Sequence, residues 1–289
     1  MSFAIHLVAD VKALLGEGPV WVERDQALYW LDIKGCRLFR LDDWGLREWP
    51  TPLRVGSIAP RAGGGFIAGT DAGFQLVELG EEARFTPRHH PEAHLPDNRF
   101  NDGKVDRRGR FWAGTMDDRE EQASGTLYRL EASGHCTAAD RGYRVTNGPA
   151  FSPSGDLMYH TDSALRTIYR FPLAADGSLG ERSVFAHFTA QDGYPDGMTV
   201  DAEGCLWVAF WDGWAVRRLS ASGDVLAVVE VPVQRPTSVA FGGPLLDRLY
   251  VTSATIGLDR TARDVQPFAG GLLMFEPGVS GLAERPFAG

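Results

Sequence analysis

Pairs of large apolar residues recur along this chain, each set just behind a polar turn. Tyr29-Trp30 follows Arg24-Asp25-Gln26, Gly65-Phe66 follows Arg61-Ala62-Gly63, and Phe111-Trp112 follows the turn from Asp106 to Gly109. Met158-Tyr159, Leu206-Trp207 and Leu249-Tyr250 follow similar turns that start at Ser152, Asp201 and Gly242. Successive pairs, measured at their second residue, are 36, 46, 47, 48 and 43 positions apart. Behind most pairs comes a second run in which large and polar residues alternate, as in Arg37-Leu38-Phe39-Arg40, Leu127-Tyr128-Arg129-Leu130 and Ile168-Tyr169-Arg170-Phe171. A period of two is the mark of half-buried strands.

A period in the low-to-middle forties holds about four strands of five to six residues with their turns. That is the unit of a β-propeller blade. Six such units nearly fill the 289 residues. The pattern therefore predicts an all-β chain: a six-bladed β-propeller with four-stranded blades around a central channel, as one domain over residues 1–289. A pair of β-sandwiches would leave the near-constant period without a cause. No linker, charge block or low-complexity stretch divides the units. The 34 glycines and 17 prolines suit a fold with many tight turns.

The first strand of each blade lines the channel of a propeller. The six predicted inner strands start at Gly16-Glu17-Gly18, Gly56-Ser57-Ile58, Asn101-Asp102-Gly103, Thr146-Asn147-Gly148, Pro195-Asp196-Gly197 and Pro236-Thr237-Ser238. Aligned on these starts, Glu17, Ser57, Asp102, Asn147, Asp196 and Thr237 or Ser238 share one register. In a ring, one register is one place. Four of these residues are followed directly by glycine. A single Asp-Gly or Asn-Gly is an ordinary turn dipeptide, but turn preference does not align four of them. Glycine at such points permits positive φ and close backbone approach.

Carboxylates gathered in a dry pocket either rise in pKa or are neutralised by a cation. Oxygen donors without cysteine or histidine suit Ca²⁺, Mg²⁺ or Mn²⁺, and Zn²⁺ or Fe²⁺ also accept them. One divalent ion is expected, and the residue types leave its identity open. Arg99 and Asn101 precede Asp102 with a planar donor fork and an amide, groups able to hold a polyhydroxylated or carboxylated ligand at the channel mouth. Asp117, Asp118, Glu120 and Glu121 read as a charged, solvent-facing loop.

Composition narrows the function classes. A net charge of −9 and a pI of about 5.3 argue against nucleic acid and give no reason for attraction to an anionic membrane. Cys36, Cys136 and Cys205 show no C-x-x-C spacing and read as packed thiols in a reducing compartment. The first residues do not resemble a signal peptide, and no 18-residue apolar run occurs, so a cytoplasmic location is expected. The seven histidines include no zinc-type pair on a helical pattern, and no G-x-S-x-G elbow is present.

Several stretches resemble the senescence-marker protein/gluconolactonase (regucalcin-like) family. They are Gly16-Glu17-Gly18-Pro19-Val20-Trp21, Arg99-Phe100-Asn101-Asp102-Gly103-Lys104-Val105-Asp106, Trp112-Ala113-Gly114-Thr115-Met116, Asn147-Gly148-Pro149, Pro195-Asp196-Gly197-Met198 and Thr237-Ser238-Val239-Ala240-Phe241-Gly242-Gly243. They run from the first blade to the last. The resemblance implies a divalent metal held by Glu17, Asn147 and Asp196, and hydrolysis of sugar lactones with Arg99 and Asn101 contacting substrate. Asp102 is grouped with them as a substrate-binding residue.

On this reading the metal polarises the lactone carbonyl, and Asp196 is both ligand and general base for water. A xylono-, arabino- or glucono-lactone is the expected partner of a monomer or weak oligomer. The family's further acidic contact, after Gly-Thr-Met, has no secure match. Arg119 falls there, between Asp118 and Glu120. Two other readings are a propeller hydrolase of phosphotriesters or aryl esters, disfavoured by the missing histidine pair, and a non-catalytic metal-binding scaffold.

Overall fold

The computed structural model describes residues 3–289. Among them the strands form six four-stranded antiparallel sheets, arranged as the blades of a ring. The innermost strands are Gly16–Val22, Val55–Pro60, Asn98–Val105, Thr146–Phe151, Tyr194–Val200 and Pro236–Gly242. Each packs beside the innermost strands of the neighbouring blades. All six lie within three residues of the starts predicted from the repeat.

The ring closes in a way the repeat did not reveal. Blade six takes Pro236–Gly242, Arg248–Ser253 and Leu272–Phe275 from its own stretch of chain. Its outermost strand is His6–Ala9, which pairs antiparallel with Leu272–Phe275 through His6–Met274 and Leu7–Leu273. The first described strand is thus bonded into the last blade, and Leu15 bridges Ala254 alongside.

The apolar pairs explain why the blades stack. Trp30, Phe66, Trp112, Tyr159, Trp207 and Tyr250 are all buried, and removing a large apolar side chain from water contributes roughly 1.5–3 kcal/mol. Between blades one and two, for example, Val20, Tyr29 and Leu31 pack on Val55, Ile58 and Phe66.

Aspartates fix the turn behind two of these pairs. Asp106 accepts from the Arg108 and Arg110 N–H groups, the Arg110 guanidinium and the Trp112 indole. Asp201 accepts from the Glu203 and Cys205 N–H groups, the Trp207 indole and Arg218. The polar turn before the tryptophan is therefore built onto its indole N–H.

At the other end of the inner strands the ladder is bulged in every blade. Register slips between Glu17 and Val20, Val55 and Ser57, Phe100 and Gly103, Asn147 and Ala150, Pro195 and Met198, and Pro236 and Ser238. Bulges bend a strand and re-aim its side chains. The glycines serve this in two ways. Gly18 and Gly148 sit at φ +55° and +76°, where a side chain is strained. Gly103 and Gly197 have no such φ, but a Cβ there would collide with the Trp112 carbonyl and the Ser238 side chain.

The last residues cross the opposite end of the ring. Gly281 N–H donates to the Leu246 carbonyl, Phe287 N–H to Pro60 and Ala288 N–H to Gly109. Phe287 is buried. One short α-helix, Arg260–Asp264, lies between the second and third strands of blade six. No helix of the described residues is long and apolar enough to cross a membrane.

Candidate active site

The bulged ends of the inner strands open into a cavity of about 540 Å³, lined by Glu17, Arg99, Asn101, Asn147 and Asp196 among others. This is within the usual size of a small-molecule site. Glu17, Asn147 and Asp196 are all buried, at 4%, 2% and 6% exposure. Three oxygen-bearing side chains from blades one, four and five thus converge, as their register predicted.

The two carboxylates have few protein donors. Glu17 accepts from the Gly18 N–H at 3.0 Å. Burial, then the charge of Asp102, pushes its pKa up to about 8. Burial, then the charge of Glu17, pushes Asp196 well above the ordinary carboxylate range, and the Gly197 N–H is the one hydrogen-bond donor opposing the shift. Neither has a cationic side chain bonded to it among the described residues.

A hydrogen-bonded chain aims the third oxygen. Asp118 accepts from Arg99 Nε at 2.5 Å, and Arg99 Nη1 donates to Asn101 Oδ1 at 2.7 Å. Asn101 Nδ2 donates to Asn147 Oδ1 at 3.0 Å, and Asn147 Nδ2 donates to Ser163 Oγ at 2.9 Å. Ser163 Oγ donates in turn to the Pro195 carbonyl at 2.6 Å, beside Asp196. The chain fixes the Asn147 amide with its oxygen toward Asn101 and its nitrogen toward Ser163. Arg99 Nη2 has no acceptor among the described residues.

Asp102 is placed elsewhere. Successive strand residues face opposite ways, so Asn101 lines the cavity while Asp102 lines a separate narrow void of about 20 Å³. Its carboxylate accepts from the Gly103 and Gly148 N–H groups, each at 2.8 Å. Burial raises its pKa to about 6, partly offset by Lys104. Ser238 lines the same void, and Thr237 Oγ1 donates to the Gly16 carbonyl. The register therefore brings three of its members to the cavity and sends others below it.

The loop after Met116 is only partly a solvent loop. Asp117 caps its own turn by accepting from the N–H groups of Arg119, Glu121 and Gln122. Asp118 turns inward and meets Lys34 at 2.7 Å and Arg54 at 2.5 Å as well as Arg99. Burial raises its pKa, but hydrogen bonds from Lys34 and Arg99, with their charges, prevail and hold it at about 2. Arg119 points away and pairs with exposed Asp97. Glu120, at φ +60°, lines the cavity where the acidic contact had no sequence match.

A second acidic group is structural. Asp201, Glu203 and Cys205 approach one another closely enough to suggest a metal. Asp201 already accepts four hydrogen bonds, and Arg218 bridges it to Glu203.

Residues 15–255 match the family described as SMP-30/Gluconolactonase/LRE-like region. The chain belongs to this family. It is 38% identical to a 6-deoxy-6-sulfogluconolactonase of Pseudomonas putida, over the full length of both. It is 37% identical to an L-arabinolactonase of Azospirillum brasilense, covering 98% of this chain and 95% of that one. Among solved structures, a calcium-binding regucalcin of Agrobacterium tumefaciens superposes with a TM-score of 0.94 at 31% identity, over 99% of this chain and 98% of that chain. The SMP-30/gluconolactonase resemblance of the sequence motifs is thus upheld across the ring. The sequence did not single out Lys34, Tyr194, Trp211 or the Arg235–Asp212 pair, which also line the cavity. Lys34, Asp212 and Arg235 sit in loops, and Tyr194 and Trp211 at strand ends, all outside the repeated register.

Proposed function

We propose that this protein is a sugar lactonase that opens an aldono-lactone to the aldonic acid in the 540 Å³ cavity. The observation that carries this is the convergence of Glu17, Asn147 and Asp196 beside the Arg99–Asn101 pair, in a chain whose relatives are named as lactonases. The residues fit one divalent cation: two buried carboxylates short of donors repel each other, and the Asn147 amide lines the same cavity with them. Such an ion would supply electrophilic assistance to the lactone carbonyl.

The side chains do the rest. The Asp196 carboxylate takes a proton from the attacking water, which frees the oxygen lone pair for the carbonyl carbon. The protonated Asp196 carboxyl then returns that proton to the ring oxygen as the acyl C–O bond breaks, giving the hydroxyl of the open acid. Arg99 Nη2 and the remaining lone pair of Asn101 Oδ1 hold the sugar hydroxyls, and Asp118 keeps Arg99 in place. Relatives are named for a 6-deoxy-6-sulfogluconolactone, for pentonolactones and for L-arabinolactone, so five- and six-carbon aldonolactones are the candidate substrates.

A pH-stat assay of five- and six-carbon aldonolactones, corrected for spontaneous opening, tests this. Turnover is expected to vanish on chelation, to return with one of Ca²⁺, Mg²⁺, Mn²⁺, Zn²⁺ or Fe²⁺, and to be lost in Asp196→Ala. Full activity in the chelated protein and in Asp196→Ala overturns the reading.

A further inference from the structure

Most charges of the cavity can be matched. Lys34 and Arg99 meet Asp118, and Arg235 meets Asp212. Glu17 and Asp196 are the ligands of the proposed cation. Arg144 lines the same cavity from blade four, yet among the described residues its side chain has neither a salt-bridge partner nor a hydrogen bond. Its backbone is held firmly all the same. Arg144 N–H donates to Asp162 Oδ2 at 3.0 Å, Val145 N–H to Oδ1 at 3.3 Å, and Ser163 N–H to the Val145 carbonyl at 2.9 Å.

A second unmatched cation comes from the same blade. Arg166 ends the turn that begins at Ser163 and is held at φ +51°. Its guanidinium stacks 4.1 Å from the centroid of Tyr194, a cavity-lining residue. Its Nε is buried with no hydrogen-bond partner. Blade four therefore brings one guanidinium to the cavity and a second onto its Tyr194 wall, both without counter-ions among the described residues. Arginine presents a fixed donor fork that matches oxyanions in two-point geometry.

The spacing suits a small substrate. Arg144 stands three residues before Asn147, and extended chain of that length spans at most about 10 Å. A lactone whose carbonyl lies at Asn147 and Asp196 therefore has Arg144 within reach of its far carbon.

We propose that Arg144, supported by Arg166 on Tyr194, forms a subsite for a terminal oxyanion. The preferred substrate is then an aldono-lactone with a carboxylate or sulfonate at the carbon farthest from the lactone carbonyl. This rests on the lactonase reading of the same site. Glu120 lines the cavity without a salt-bridge partner among the described residues and acts on Asp196, so its charge disfavours the anion at the Asp196 end.

The experiment compares glucono-lactone, glucaro-lactone and 6-deoxy-6-sulfoglucono-lactone with metal-saturated wild-type, Arg144→Gln, Arg144→Lys and Arg166→Gln proteins. Wild type is expected to favour the anionic lactones at least tenfold in kcat/KM, mostly through KM, with a preference that shrinks as salt is added. Arg144→Gln removes that preference, Arg144→Lys restores part of it, and Arg166→Gln lowers it about threefold. The carboxylate and sulfonate arms show which anion the fork prefers. An anionic-to-neutral ratio that is the same in wild type and Arg144→Gln overturns the subsite.

If no lactone is opened, the lactonase reading fails separately. Calorimetry with glucarate against gluconate then decides the subsite by itself. Tighter glucarate binding that is lost in Arg144→Gln supports it, and equal binding of the two acids overturns it.

Discussion

Asp196 and Asp201 lie five positions apart, at opposite ends of one inner strand, and both are buried. Asp201 accepts from two backbone N–H groups, an indole and a guanidinium. Asp196 has one N–H beside it and faces the negative charges of Glu17, Asp102 and Glu120. Burial does not separate a structural carboxylate from a site carboxylate. The supply of donors does: Asp201 has its counter-charge built in, while Asp196 is left to acquire one from a ligand.

Exchanging the two roles gives the largest effects. Asp196→Asn should lower lactone turnover by about 10³-fold, the scale of a lost general base, while the metal-free protein melts no lower than wild type because a repelling charge is gone. A fall in melting temperature with turnover retained would erase the contrast. Asp201→Ala should do the reverse. It strands the Trp207 indole and Arg218, at a cost of about 3 kcal/mol, or about 6–10 °C in melting temperature at this chain length, with kcat little changed.

The pH dependence sharpens the same contrast. The Glu17 carboxyl ionises near 4.5 in the unfolded chain and near 8 in the metal-free fold. Between these values the unfolded chain has lost a proton that the fold still holds, so stability falls as pH rises from about 5 to about 8. Thermal melts of chelated protein should show that decline, and Glu17→Gln should flatten it. Divalent cation should oppose it, because the ion needs the deprotonated ligands.

Asp118 has the opposite sign. Its depressed pKa adds stability above about 4 that is lost as pH falls toward 2. Asp118→Asn should raise KM about tenfold with a smaller change in kcat, through a loosened Arg99. The smallest effect is expected from Arg119→Ala, which breaks only the exposed pair with Asp97 and should move stability by less than about 0.5 kcal/mol.

The inner strands were legible in the sequence because two signals coincide there: an apolar pair after each turn, and a glycine at each bulge that carries a strong donor. Register alone gathered Glu17, Asn147 and Asp196 together with Ser57, Asp102 and Thr237 or Ser238, and the family resemblance picked the three out of that set. Asp102 could not be separated from Asn101 that way, since register fixes which end of the ring a residue occupies and the bulge fixes which way it faces. The loop at Asp117 was unreadable for a related reason. Asp117 holds the turn and Glu120 takes a positive φ, so neighbouring charges point alternately in and out. His6–Ala9 carries only four residues of pattern, and its partner strand lies more than 260 positions away. Arg144 belongs to no motif, and it stands out only once every neighbouring charge has been matched.

The strap formed by residues 281–289 sets a traffic rule for the ring. Lys104 reaches both the Met198 carbonyl and the Glu284 carboxylate at that end, and the 20 Å³ void there has room for about one water. A propeller is in principle a pipe, but this one is a cup. Whatever enters must leave by the same lip, so on the lactonase reading a spent acid still in the cup would hold the seat of the next lactone.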